Sequence, residues 1–206
     1  MSAAGGPTSK GRQRRTALLD AAERVLTGSG GAELTLRAVA EEAGVRLGHL
    51  QYYFPARSDL LSALLDRILA SSLERVTSLT ALTALTAAHT HGTDREALLD
   101  AVLSDHDDPR LVMLFTEVWA LAAHDEEAAA AIRAFYDQYV THVAAFVREH
   151  APGVSEAEAH HRAEVFVMLM EGSALFRSGL TGRRTAGTDA RLREAALTLL
   201  GGAVRP

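Results

Sequence analysis

Two short runs of helical periodicity separated by a glycine constrain this chain more than any other feature. They lie in residues 34–61, LTLRAVAEEAGVRLGHLQYYFPARSDLL. Leu36, Val39, Ala40 and Ala43 recur at helical spacing and predict a helix from Leu36 to Ala43, with the Thr35 hydroxyl placed to cap its first turn. Gly44 follows the last periodic residue, where a chain leaving a helix through left-handed backbone has no room for a side chain. Periodicity then resumes, with Leu47, Leu50, Tyr53 and Phe54 on one face and Arg46, His49, Gln51 and Tyr52 pointing elsewhere. Two short helices meeting across a tight turn are the helix-turn-helix pattern. Small Ala40 allows close approach, and Val39, Ala43, Val45, Leu50 and Tyr53 supply the apolar positions that lock the pair. The second helix becomes a probe short enough to present its first turns to a DNA major groove. Arg46 and Gln51 have the paired donors and acceptors that guanine and adenine edges accept, and His49 and Tyr52 can reach bases or phosphates. In a chain that never meets nucleic acid, the same spacing would make Tyr52, Tyr53 and Phe54 core aromatics only.

The segment GVRLGHLQYYFPARSDLL resembles the recognition helix and following turn of the TetR (tetracycline-repressor-like) family, roughly G-V-S-x-G-x-L-Y-x-Y-F-x-x-K-x-x-L. Gly44, Val45, Gly48, Leu50, Tyr53, Phe54 and Leu60 stand at the matching places. Arg46 replaces a small hydroxyl residue, Gln51 a tyrosine and Arg57 a lysine. Arg57 keeps the charge, so the resemblance implies that a phosphate contact survives, whereas Arg46 gives up a capping hydroxyl for a long cationic arm. The match is specific over about Arg14 to Leu64 and elsewhere extends only to helical layout. It implies a DNA-binding transcriptional regulator, with Arg14, Thr35, Arg37, Arg46, Leu47, Gly48, His49, Gln51, Tyr52, Tyr53 and Arg57 as the expected DNA-binding residues.

The remainder of the chain fits an all-α protein. Alanine and leucine dominate its 206 residues, prolines number 5, and runs of β-branched residues are few. Without cysteine, neither a disulfide framework nor a thiolate metal site can form. The N-terminal cations precede no apolar segment of the secretory kind, and no run reaches the roughly 20 apolar residues of a membrane span. A cytoplasmic protein without membrane contact is the expectation. A net charge of −5 looks wrong for a phosphate binder, but residues 1–60 carry 8 Lys and Arg against 6 Asp and Glu, leaving 13 against 20 beyond them. Electrostatic attraction to a duplex is therefore confined to one end.

Along the chain, residues 1–9 read as a disordered arm, 10–56 as a helix-turn-helix DNA-binding domain and 57–206 as a ligand-binding and dimerisation domain. Lys10, Arg12, Arg14 and Arg15 form a basic cluster suited to a phosphate backbone, ahead of a first helix from Arg14 to about Leu26. Leu60, Leu61, Leu64, Leu65, Ile68 and Leu69 stripe a long helix beginning at Ala56. Residues 76–93 read as fraying helix or linker, and His89 and His91 lack the companions a metal site needs. Further helices are expected over about 94–103, 110–123, 126–150, 155–178 and 189–200, with Ser155 and Glu158 forming a capping box.

One copy of a short recognition helix makes too few contacts for a specific site, so a homodimer reading two half-sites of a double-stranded operator is expected. The last two long helices are its best interface, which is also where the resemblance puts it. The resemblance further implies an unidentified small-molecule effector. Phe115, Trp119, His124, Tyr136, Tyr139, Met168 and Glu171 are the expected ligand-binding residues, offering adaptable apolar surface with His124 and Glu171 to orient a polar group. As alternatives stand a helical interaction protein, or a small-molecule binder without DNA binding. Catalysis is not expected: His160 and His161 lie beside Glu158 and Glu164, and Asp105 to Asp108 cluster, but neither group supplies a nucleophile elbow, a phosphate loop or a zinc site. No cofactor or metal is called for.

Overall fold

The computed structural model describes residues 9–85 and 91–201. Among these residues there are nine α-helices and no strand: α1 (Ser9–Ser29), α2 (Leu36–Glu42), α3 (Leu47–Tyr53), α4 (Arg57–Leu85), α5 (His91–Asp107), α6 (Pro109–Ala122), α7 (Glu126–His150), α8 (Glu156–Arg177) and α9 (Ala186–Leu199). A single 3-10 turn, Gly31–Glu33, joins α1 to α2. The expected disordered arm falls outside the described residues except at Ser9, where α1 begins, and His89 and the side chain of His91 also lie outside them.

The chain divides into two compact units, one comprising residues up to Arg67 together with Met113–Ile132, the other Ile68–Val112 together with residues from Arg133 onward. In the first unit α1 packs on α2 and α2 on α3. Its interior holds Leu18, Leu19, Ala22 and Leu26 of α1, Leu34, Val39, Ala40, Leu50 and Phe54 of the helix pair, and Leu60, Leu61, Leu64 and Leu65 of α4. Each fully buried leucine is worth about 1.5–3 kcal/mol by transfer, which makes this core the main restraint on α3. Polar ties add orientation: Arg24 pairs with Glu42 at 2.6 Å, and Arg67 reaches Asp20 at 2.5 Å and Glu23 at 2.8 Å. Such partly exposed pairs contribute about 0–1 kcal/mol each.

The turn between α2 and α3 follows from its residues. The Thr35 hydroxyl accepts from the Ala38 N–H at 3.1 Å and caps α2. At the other end Gly44 has φ 63°, its N–H donates to the Glu41 carbonyl at 3.0 Å, and the Val45 N–H donates to the Ala40 carbonyl at 2.9 Å. This is a Schellman closure, which needs left-handed backbone at its glycine.

In the second unit α5, α8 and α9 pack on one another. Leu98, Leu99, Val102 and Leu103 meet Val143 and Val147 of α7, Ala159, Ala163, Phe166, Val167 and Met170 of α8, and Ala196 and Leu200. At the end of α8 the buried Arg177 guanidinium bonds Asp107 at 2.9 Å and Asp189 at 2.8 Å, and Arg184 bonds the same two carboxylates at 2.6 and 3.0 Å. The Ser155 hydroxyl accepts from the Glu158 N–H at 3.2 Å as expected, while the Glu158 carboxylate turns to Arg162 at 2.7 Å.

Candidate nucleic-acid interface

The α3 helix is held by its buried side and presents the other. Leu50 and the C-cap Phe54 are inaccessible, whereas Gly48, His49, Gln51 and Tyr52 are exposed, with Tyr52 at 81 %. Leu47 and Tyr53 are half-buried at the margin between the two sides. His49 stacks on Tyr53 with centroids 5.8 Å apart and planes at 16°, and Tyr52 meets the same ring edge-on at 5.1 Å. These contacts restrict three side chains before any partner arrives, which lowers the entropy cost of contact.

Arg46 is the N-cap residue of α3, exposed and without a side-chain capping bond, so its guanidinium is available outward. Arg14 and Arg37 are also exposed, on α1 and in the first turn of α2, and Thr35 caps α2. Gly48 has open space around it, since a Cβ there would meet nothing within 4 Å. The fold itself gives no steric reason for glycine inside this helix.

Two relationships were not visible in the sequence. The Arg15 guanidinium lies 5.2 Å from the Phe54 ring centroid, so one cation of the basic cluster packs against the end of α3. Arg57, expected at a phosphate, forms an ion pair with Asp125 in the turn between α6 and α7.

The expected effector residues fall in both units. In the first, Phe115 and Trp119 are half-buried with ring centroids 6.0 Å apart, and His124 is exposed just after α6. In the second, Tyr136 and Tyr139 are half-buried and flank Phe135 at 5.1 and 6.2 Å. Burial pushes the Glu171 carboxyl up to about 7, opposed by a hydrogen bond from Tyr136. Burial, and then the Glu171 and Asp105 carboxyls, push the Tyr139 hydroxyl well above its ordinary value. These three groups therefore share one region of α7 and α8. Met168 departs from the expected set: it is 69 % exposed, because α8 turns Phe166, Val167 and Met170 inward instead. Among the described residues no three His, Asp or Glu side chains are grouped to hold a metal ion, and no helix is long and apolar enough to cross a membrane.

Residues 18–64 match the tetR family of bacterial regulatory proteins. The uncharacterised HTH-type transcriptional regulator in the dhlA 5′ region of Xanthobacter autotrophicus is 30 % identical over 120 residues, which are 58 % of this chain and 58 % of that protein. The match thus spans less than two thirds of that relative's length. A member of the TetR family from Streptomyces coelicolor A3 is 26 % identical with a TM-score of 0.65, covering 93 % of this chain and 99 % of that one. The multidrug binding protein EbrR, solved with imidazole, shares the fold at 23 % identity and a TM-score of 0.62, covering 93 % of this chain and 97 % of its own.

Proposed function

We propose that this chain, whose residues 18–64 match the tetR family of bacterial regulatory proteins, is a helix-turn-helix transcriptional regulator of that family, that it represses transcription in the cytoplasm by binding a pseudo-palindromic operator as a homodimer, and that a small molecule releases it. The observation that carries the reading is the bare outer side of α3, where Arg46, His49, Gln51 and Tyr52 face solvent over a buried Leu50 and Phe54. Arg46 and Gln51 read base edges, and the exposed Arg14 and Arg37 supply backbone charge.

A seven-residue helix cannot specify a site alone, so two copies spaced about 34 Å apart read successive major grooves. Val165, Met168, Leu175 and Phe176 stand exposed along α8, an apolar side suited to a second copy of the same helix. Release follows from linkage: a ligand that favours a dimer spacing unlike the operator's weakens binding by its differential affinity, typically ~1–3 kcal/mol. Within the second unit, Tyr136 and Tyr139 beside the half-buried Glu171 carboxyl favour such a ligand, as does the likeness to EbrR, a multidrug binding protein.

Selection of bound duplexes from a random pool, followed by filter binding, tests the reading. Arg46→Ala and Gln51→Ala should narrow the gap between selected and random duplex. Wild-type protein that retains neither duplex, or retains both without salt dependence, would overturn it.

A further inference from the structure

Asp125 has two tasks in the structure, one for each carboxylate oxygen. Its Oδ1 accepts from the Ala128 N–H at 2.9 Å while its backbone carbonyl accepts from the Ala129 N–H at 2.9 Å, so it is the N-cap of α7. Its Oδ2 faces the Arg57 guanidinium in an ion pair whose side chains are only 29 % and 22 % exposed. A capping carboxylate is fixed by the helix it starts and is favoured by the positive end of that helix. Arg57 thus faces a stationary anion, partly shielded from salt, at the first residue of α4.

We propose that Asp125 withholds Arg57 from the DNA backbone, so that this acid limits how many phosphates the head neutralises. The proposal rests on the DNA-binding reading above. A phosphate oxygen approaching Arg57 comes within a few ångströms of the Asp125 carboxylate, and the like charges repel. Either the pair opens or the phosphate is bound by a cation already half neutralised. Affinity for every duplex is reduced, whatever its sequence, and the acid that reduces it lies 68 residues along the chain from Arg57, at the corner of α6 and α7.

Asp125→Asn tests this cleanly, because asparagine caps a helix as well as aspartate does but carries no charge. Filter binding of random duplex across salt concentrations is compared for wild type, D125N, R57A, the double variant R57A/D125N, and E127Q, which removes an equal charge from an exposed neighbour. The expected result is binding about three- to tenfold tighter for D125N at low salt, with the log–log salt slope steeper by about 0.9, one phosphate's worth. R57A/D125N should bind like R57A, and E127Q like wild type. Equal or weaker binding by D125N, or an undiminished gain in the R57A background or with E127Q, would overturn the proposal while leaving the DNA-binding reading intact. Wild-type protein with no salt-dependent binding would remove that reading, and the proposal with it.

Discussion

The Gly31 backbone N–H donates to the Glu117 carboxylate at 2.8 Å, and a Cβ on Gly31 would lie 2.8 Å from the Glu117 carbonyl oxygen and 3.0 Å from the Leu121 Cβ. The turn before α2 is thereby pressed against α6 at the Glu117 backbone and the Leu121 side chain. Gly31→Ala should destabilise the protein by about 1–3 kcal/mol, because backbone must shift to admit the methyl group. Glu117→Ala should cost a similar amount by stranding a buried N–H. Urea midpoints measure both, and midpoints unchanged from wild type would contradict the packing described.

Gly48 presents the opposite case. Nothing in the fold excludes a side chain there, and glycine inside a helix costs roughly 1 kcal/mol relative to alanine. Gly48→Ala should raise the thermal midpoint yet weaken operator binding, since a methyl group would stand between α3 and the duplex. A variant gaining stability with undiminished affinity would show that the operator does not approach this position closely.

Stability should respond to pH from two groups of the second unit, the buried His106 and the half-buried Glu171. Burial, aided by the nearby Arg177 charge and opposed by Asp107, lowers His106 from 6.5 to about 4. The unfolded chain therefore binds this proton first, and stability falls as pH drops from 6.5 towards 4. Glu171 works the other way: raised from 4.5 to about 7, it keeps its proton in the folded state while the unfolded chain loses it, so stability falls as pH rises between those values. Glu171→Gln should flatten the loss between about pH 4.5 and 7, and His106→Asn the loss below 6.5. Thermal midpoints from pH 4 to 8 decide whether each slope has the stated sign.

Arg177 is only 8 % exposed and its guanidinium is shared between Asp107 and Asp189. Arg177→Met should cost about 1–3 kcal/mol, less than the loss of a fully buried pair, because both acids remain bonded to Arg184. Urea midpoints measure the loss; in an Arg184→Met background, where neither acid keeps a second partner, Arg177→Met should cost more, and an equal loss in both backgrounds would assign the effect to packing.

What the sequence made legible was local. Thr35 and Gly44 bound α2 because a hydroxyl cap and a left-handed exit act within a few residues, and the structure places both as expected. The helix ends were less well placed. The basic run Lys10 to Arg15 belongs to α1, which begins at Ser9 rather than Arg14, since lysine, arginine and glutamine are good helix formers as well as phosphate binders. Similarly α5 runs on to Asp107 and α9 starts at Ala186. Contacts between distant residues left no periodic signal. Glu117 bonds Gly31 across 86 positions and Arg177 bonds Asp107 across 70, and nothing in composition or spacing selects those partners among the chain's other acids. Arg57 likewise read as a cation free for phosphate because its partner Asp125 belongs to a different helix corner.

The solitary tryptophan has a practical consequence. Trp119 is half-buried on α6 with Phe115 at 6.0 Å, and the chain holds no second indole. Its fluorescence is therefore an unlabelled reporter of a single place. A compound that shifts the emission maximum changes the surroundings of that helix, so a search for the proposed effector can begin with the native polypeptide and a spectrometer.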